Sequence, residues 1–467
     1  MITKFIKRIL RRDPMIKHTQ ANNTGVPKRI PKKSHRIDPH LLSKNAVKVT
    51  DTLQEAGYEA FIVGGAVRDL VLGIGPKDFD VATNATPDQV QRLFRKARLI
   101  GRRFQIVHVT FFGKGHPEII EVSTFRALLD NAGDHVAESG RILRDNVWGS
   151  QGEDAARRDF TINAMYYDPA SETILDYHGG MIDMQKKTLR MIGNPTKRYR
   201  EDPVRMLRAI RFAAKTGFTL DSETRAPIAE LGELLQDVPS ARIFDEILKL
   251  LMSGYSWAAI QGLRNAGLHH GLLPLLDHIL DNSEASKGAN DFVKLALANT
   301  DQRIQSGKSV SAGFLFATLL WPDLLKNWKA NISKGMANIP ALHDAMDDTI
   351  ATQSSGMTIQ RRFESDMREI WSMQPRFEKR VGRYPYRLIE SPRFRAGYDF
   401  MLLRCATGEQ NPALGEWWTS FIAADPTVQE ELMASAKNEL GSAANAPAKR
   451  RRRKKPKSDT PSEPTPV

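Results

Sequence analysis

Apolar positions along this chain follow two different rhythms. Through the first two hundred residues, short apolar runs alternate with glycine- and proline-marked turns. From about 218 to 440, apolar residues recur every third or fourth position, the spacing of helices. Ser43 to Ala56 carries an amphipathic helical pattern closed by Gly57, and it leads into a strand at Tyr58 to Val63. After Gly64-Gly65, Ala66 to Leu72 gives one or two helical turns stopped by Gly73. Lys77 to Val81 has strand periodicity. Thr86-Pro87-Asp88-Gln89 has capping-box spacing with proline in the first turn, and Val90, Leu93, Phe94 and Ala97 form the apolar face of the helix it starts. Leu99 to Val109 and Pro117 to Phe125 are predicted as two strands, residues 130 to 150 as a polar loop over the site, and Gly152 to Tyr167 as a helix. Thr173 to Ile192 has the pattern of a hairpin around Gly179-Gly180. A helix then runs from Asp202-Pro203 to Lys215, stops at Gly217, and buries Val204, Leu207, Ile210 and Ala214.

Candidate chemistry gathers where strand, tight turn and helix start meet. A glycine pair lets backbone approach a ligand closely, and the first N–H groups of a helix favour an anion such as phosphate. Gly64 and Gly65 therefore mark a candidate phosphate turn, with Arg68 expected beside it. A helix entry that needs glycine only for its dihedrals explains the turn alone equally well. Just downstream, Asp78 and Asp80 project to one face of a strand and Phe79 and Val81 to the other. Two like charges in one small space raise a pKa unless a cation lies between them, which points to a divalent metal with oxygen ligands, magnesium first. Coupled to the glycine turn, the pair suggests a metal–nucleotide site.

Three further carboxylates carry alternatives. Glu121 shares a strand face with Ile119 and Ser123, in an otherwise apolar strand, and needs a partner: a metal, Arg126 or another arginine. Asp159 shares a helical face with Ala155, Ala156, Ile162 and Asn163, so it either works in a site or caps and pairs with Arg157 or Arg158. Asp202, Arg205 and Arg208 recur every third position on one helix. One acceptor and guanidinium donors held rigidly can match a base edge without a nucleic-acid template, while an intrahelical salt-bridge ladder is the plainer reading.

Charge changes the picture mainly at the ends. Of the net +14, residues 1 to 36 carry eleven Lys/Arg against Asp13 and residues 441 to 467 carry eight against Asp459 and Glu463, which leaves 37 to 440 at −2. A polyanion is therefore gripped by the ends, above all by Lys449, Arg450, Arg451, Arg452, Arg453, Lys454 and Lys455, in Ala/Pro/Ser-rich sequence expected to be disordered. Near the other end, Ile2, Phe5, Ile6, Ile9 and Leu10 fall on one helical face opposite basic residues. That suits an anionic membrane surface and, equally, a basic leader touching RNA. Arg376 to Arg404 mixes arginines with Tyr384, Tyr386, Phe394 and Tyr398, which suits RNA stacking or, almost as well, core aromatics beside surface charge. The single Cys405 forms no internal disulfide and the chain shows no signal peptide or spanning segment, so a reducing cytoplasm is expected.

The motifs G-G-A-V-R-D and K-D-F-D-V-A-T, followed by R-R-D-F-T-I-N-A-M (Arg157 to Met165) and E-D-P-V-R-M-L-R-A-I-R-F (Glu201 to Phe212), resemble those of the class II template-independent nucleotidyltransferases. That family includes bacterial poly(A) polymerases and CCA-adding enzymes. The resemblance implies an α+β fold: a polymerase-beta-like head with a mixed sheet, then an all-helical neck and body. Boundaries follow as a leader 1–37, a catalytic domain 38–193, a neck 194–275, an RNA-binding body 276–440 and a tail 441–467. It further implies Asp78 and Asp80 on two magnesium ions, with manganese as a substitute, and Asp159, with Glu121 as a further candidate, completing the acidic cluster. Gly64, Gly65, Arg68 and Asp69 would shape the triphosphate turn, Arg157, Arg158 and Asn163 the sugar region, and Asp202 with Arg205 and Arg208 the base site. L-I-G-R-R-F-Q-I-V-H-V, with Arg102 and Arg103, resembles the stretch that separates poly(A) polymerases from CCA-adding relatives. The expected activity is addition of AMP from ATP to RNA 3′ ends, on messenger, regulatory and structured RNAs, by a monomer working with RNA-decay or RNA-chaperone proteins. CCA addition to tRNA is the alternative, and a non-catalytic RNA-binding adaptor a remote one.

Overall fold

The computed structural model describes residues 25–101, 105–113, 117–127, 147–268 and 287–444. The N-terminal helical pattern, most of the 130–150 loop, Arg102 and Arg103, and the tail from Lys449 to Lys455 lie outside the described residues. Contacts divide the chain into two units, one of Met1–Asp281, Leu297–Ala312 and Asp348–Ile359, the other of Asn282–Ala296, Gly313–Asp347 and Gln360–Val467.

The first unit is built on a sheet of eight strands: β1 (Lys28–Pro31), β2 (Ala60–Val63), β3 (Phe79–Thr83), β4 (Ala97–Ile100), β5 (Ile106–Phe111), β6 (Glu118–Thr124), β7 (Met165–Asp168) and β8 (Thr173–Asp176). Their order is β1-β8-β7-β2-β3-β6-β5-β4. Neighbours are antiparallel except β3 and β6, which run parallel, so the sheet is mixed as expected. One face is closed: Ile62, Val81, Val107, Val109, Ile120 and Val122 are buried on it, as are Ala46, Val49 and Leu53 of α1 (Lys44–Glu55). Ser43 caps α1 through its hydroxyl, which accepts from the Asn45 and Ala46 N–H groups. The helix after the glycine turn is α2 (Gly65–Val71). The Thr86 capping box opens α3 (Pro87–Leu93) as predicted.

The structure differs from the expected elements at several points, each with a local cause. Leu99 to Val109 is not one strand but the hairpin of β4 and β5, with Leu99 opposite Val107, because Gly101 turns the chain at φ +90°. Phe94 is extended (φ −120°), so it and Ala97 leave α3. The helix predicted over Gly152 to Tyr167 ends early: α4 (Gln151–Arg157) stops where the Asp159 carboxylate caps the Phe160 N–H. Met165, Tyr166 and Tyr167 then form β7 between β2 and β8, all buried, and tertiary pairing overrides their helical spacing. The hairpin expected at Gly179-Gly180 lies earlier, between β7 and β8 with Glu172 at φ +48°, and Gly179 (φ +75°) instead opens α5 (Gly180–Lys186).

Beyond the sheet come α6 (Pro195–Glu201), α7 (Val204–Thr216) and α8 (Ser240–Leu251). Gly217 (φ +69°) ends α7 as predicted. Met206, Ala209 and Phe212 are buried along with Val204, Leu207 and Ile210, whereas Ala214 is half-buried, because α7 is packed on more than one side. A short parallel pair, β9 (Thr188–Leu189) with β10 (Thr219–Leu220), joins the chain before α6 to the chain after α7.

The second unit is helical and aromatic at its centre. Trp418 donates to the Phe377 carbonyl and Trp371 to that of Ala317. Phe394 and Tyr398 stack on each other inside this core, so they are packing residues rather than an RNA platform, and Tyr386 lies against the same cluster. Tyr384 is exposed, with Lys379 over its ring. Among the described residues no helix is long and apolar enough to cross a membrane.

Gly180 allows a close backbone approach in the sheet unit: a Cβ there would sit 2.5 Å from the Thr161 carbonyl oxygen and 2.9 Å from Met165 Cγ. Gly180→Ala is expected to destabilise the fold by about 1–3 kcal/mol through this clash. Thermal unfolding against wild type checks it, and an unchanged Tm would count against the tight approach.

Candidate active site

The β2–β3 register sets Val63 opposite Asp80, so the strand before the glycine turn runs beside the candidate metal carboxylates. Gly64 has φ +72° and ψ −131°, a backbone conformation that side chains exclude. A Cβ on Gly64 would lie 3.5 Å from Arg158 Nη1 and 3.9 Å from Asp80 Oδ2. Turn, carboxylate and guanidinium thus meet at one point. The first intrahelical bond of α2 is donated by the Arg68 N–H to the Gly64 carbonyl, which leaves the three N–H groups before it without a helical acceptor.

Asp78 and Asp80 are exposed and Phe79 and Val81 buried, the predicted alternation. In the parallel β3–β6 pair Asp80 stands directly beside Glu121, and across β5 Glu121 stands beside His108, with Nε2 at 3.4 Å from Glu121 Oε1. Although Asp80 keeps one side open, the packed sheet beneath strips much of its hydration. That burial, with negative Glu121 and Asp78, pushes its carboxyl up to about 6 against the opposing pull of Arg158. Asp78, Asp80 and Glu121 thus bring negative charge together on this side of the sheet.

Arg158 is held from behind. It donates through Nε (3.2 Å) and Nη2 (3.0 Å) to Asp154 Oδ2 and through Nε to the Tyr166 hydroxyl (3.1 Å), which itself donates to Asp154 (2.6 Å). Arg157 donates to the other Asp154 oxygen at 2.8 Å. Burial of Asp154 favours its neutral form, but Arg158, Arg157 and the Tyr166 hydroxyl outweigh it and hold the carboxyl well below the usual range. Sequence reasoning passed over Asp154 and Tyr166. The spacing of Asp154 three and four residues ahead of Arg157 and Arg158 was the available signal.

Several expected site residues turn inward instead. Asp159 does not stand open beside Asp78 and Asp80: Oδ1 accepts from the Phe160 N–H (2.8 Å) and Asn163 Nδ2 (3.3 Å), and Oδ2 accepts from Arg208 Nε (2.8 Å). Burial opposes the charge, yet Arg208 and these donors bring the carboxyl down to about 2. Arg68 does lie beside Gly65, but it is only 2% exposed, and its donors go to Asp69 (2.8 Å) and to Asn163 Oδ1 (2.8 Å). Asp69 also takes Lys215 Nζ at 2.9 Å. Arg68, Asp69, Asn163, Asp159 and Arg208 hold the site's frame, a consequence of burial that face-counting along a helix does not reveal.

The expected base face is split among partners. Asp202 accepts from Arg242 Nη2 of α8 at 3.1 and 3.0 Å. Arg205 Nη1 donates to the Arg198 carbonyl (2.9 Å) and to Glu201 (3.1 Å). With Arg208 turned to Asp159, the three residues form no ladder with one another. Neither Arg198 nor Arg242 is singled out by the sequence pattern, and Glu201 enters there only as the first residue of its motif.

The matches to known proteins cover most of the chain. Residues 60–190 match the family model described as the poly A polymerase head domain, 217–280 one described as a probable RNA and SrmB-binding site of polymerase A, and 334–457 one described as the polymerase A arginine-rich C-terminus. Poly(A) polymerase I of Salmonella typhimurium is 44% identical over 442 residues, 92% of each chain. A CCA-adding enzyme of Bacillus subtilis is 35% identical over 68% of this chain and 74% of its own. Among solved structures, the Bacillus stearothermophilus CCA-adding enzyme in complex with CTP superposes with a TM-score of 0.54 at 25% identity, covering 87% of this chain and 94% of that one.

Asp154 yields a pH-dependent prediction. Its carboxyl is held lower in the fold than in the unfolded chain, so its stabilisation is present above about pH 4 and is lost as pH falls toward the folded value. Asp154→Asn should cost about 3 kcal/mol at pH 7, by stranding Arg158 and Arg157. Urea unfolding of both proteins across pH should show the gap narrowing below pH 4, and a constant gap would contradict the charge-pair account.

Proposed function

The chain belongs to the bacterial poly(A) polymerase family and is a nucleotidyltransferase that adds AMP from ATP to RNA 3′ ends; we propose that the corner shared by Gly64, Asp80 and Arg158 is where the transfer takes place. The observation that carries this reading is their approach within 4 Å of one point. Glycine backbone and a guanidinium suit a triphosphate, and adjacent carboxylates suit the cations that accompany it.

Asp78 and Asp80 are the metal-holding residues of this reading, with Glu121 alongside. Magnesium takes one or two carboxylates and completes its shell with water and substrate phosphates. The donor set fits that habit: Asp78 and Asp80 are both exposed, and burial with the negative charge of Glu121 and Asp78 leaves the Asp80 carboxylate under-neutralised. When bound there, two magnesium ions, or manganese in their place, supply Lewis acidity at the 3′ oxygen and the leaving pyrophosphate. Arg158, fixed by Asp154 and Tyr166, then points Nη1 at the phosphates without reorganising, and such preorganised charge is what stabilises a transferring phosphoryl group. Arg157 borders the sugar. Asp202 supplies an acceptor and Arg205 donors to the base edge, which discriminate nucleotides without a template strand. RNA is gripped by the cationic 441–467 segment and by Arg102 and Arg103.

The direct test is extension of an unstructured RNA oligonucleotide with magnesium and each nucleoside triphosphate separately, beside a tRNA lacking its terminal C-C-A. A long ladder with ATP alone is expected. Addition confined to two C and one A on the tRNA would move the assignment to CCA addition, and no addition to either would leave a binding protein. Asp80→Asn should reduce AMP transfer by about 10²–10³-fold, on the order expected for losing electrostatic stabilisation of the transferring group, while RNA affinity in a filter-binding assay holds. Near-normal turnover would rule out the metal assignment.

A further inference from the structure

We propose that the open face of β6, β5 and β4 seats the 3′-terminal segment of the RNA, with Arg98 holding a phosphate upstream of the reacting hydroxyl and Phe112 stacking a base. The proposal rests on the poly(A) reading above and identifies where that site takes its second substrate.

Strand register supplies the first argument. Asp80 pairs with Glu121, Glu121 with His108, and His108 with Arg98, so four side chains from four adjacent strands form one row on one face of the sheet. At about 4.8 Å per strand, the row runs roughly 14 Å from the candidate metal carboxylates to the sheet edge. The opposite face of these strands is packed, with Val107, Val109, Ile120 and Val122 buried.

A second argument is the polarity of this row. It begins in carboxylates and ends in a cation, Arg98 of β4, with Lys96 two residues before it in the chain. An RNA 3′ end needs both in this order, cations in a metal site at its terminal oxygen and basic side chains at the phosphates behind it. A merely solvated sheet face has no reason to separate its charges so.

Exposed apolar surface supplies the third. Ile119 and Ile100 flank the row and are 44% and 42% exposed. Phe112, just past β5, is 67% exposed, with Lys96 Nζ 4.1 Å from its ring centroid. An exposed ring carrying a cation beside a basic strand is the combination that stacks a base while its phosphate is held.

Initial rates of AMP addition to a short unstructured RNA, measured with the full chain, magnesium and saturating ATP at several salt concentrations, test this. Arg98→Ala should raise the KM for RNA about tenfold and reduce the salt slope of RNA binding by about one, while the KM for ATP stays put. Arg98→Lys should recover most of the loss, since a phosphate needs only the charge. Phe112→Ala should raise the RNA KM by about tenfold without changing the salt slope. If both variants keep the wild-type RNA KM and salt slope while RNA is still extended, the proposal is overturned and the poly(A) reading stands. A parallel rise in the KM for ATP overturns it too, because the nucleotide site would then be what changed. Failure of the wild-type chain to extend RNA removes the poly(A) reading and this proposal together.

Discussion

A closed circuit of polar side chains underlies the site. Lys215 donates to Asp69, Arg68 to Asp69 and Asn163, Asn163 to Asp159, and Arg208 to Asp159. Since Lys215 and Arg208 both belong to α7, the chain of bonds starts and ends on one helix and passes through α2 and the turn after α4. Buried charge without a partner is costly, and removing one member exposes the next. The circuit therefore fixes α2, which follows the glycine turn, and the middle and end of α7 on a single frame. Phe212 closes it from inside, with Arg68, Arg208 and Arg211 at 5.2, 5.3 and 4.3 Å from its ring.

Two kinds of aspartate follow from where the arginines are spent. Asp154 and Asp159 are surrounded by guanidinium donors and are held ionised, Asp159 at about 2. Asp80 has one guanidinium nearby and two negative neighbours, and is pushed up to about 6. The same functional group thus becomes a strut or a cation seeker according to its surroundings. Asp80 is left under-neutralised, so electrostatic tension stays at the rim and is relieved in the frame.

Much of this is legible in the sequence. The strand into Gly64-Gly65, the alternation of Asp78 and Asp80, the caps at Ser43 and Thr86 and the stop at Gly217 each follow from local rules. What escaped was decided by partners distant in sequence. Met165 to Tyr167 has helical spacing, but its three side chains fill a slot between β2 and β8. Arg68 and Asp159 stand in the expected motifs, yet burial turns them toward each other through Asn163. Phe394 and Tyr398 look like a stacking surface beside arginines until the core around Trp418 absorbs them. Local pattern reports which residues are polar; it does not report which polar residues face one another.

The placement of Glu121 illustrates this at the level of topology. It lies forty-one positions after Asp80 in the chain, yet directly beside it, because β6 returns parallel to β3 in a sheet that is otherwise antiparallel. A parallel neighbour requires the intervening chain to cross over, and here the crossover holds α3 and the whole of β4 and β5. The hairpin cannot insert between strands already paired, so it extends the sheet at its edge, outward from the carboxylates. One topological step therefore does two things: it sets a third carboxylate against Asp80 and it lays an accessible sheet face beyond it. Neither is visible in the spacing of either strand alone, because both depend on the direction in which β6 runs.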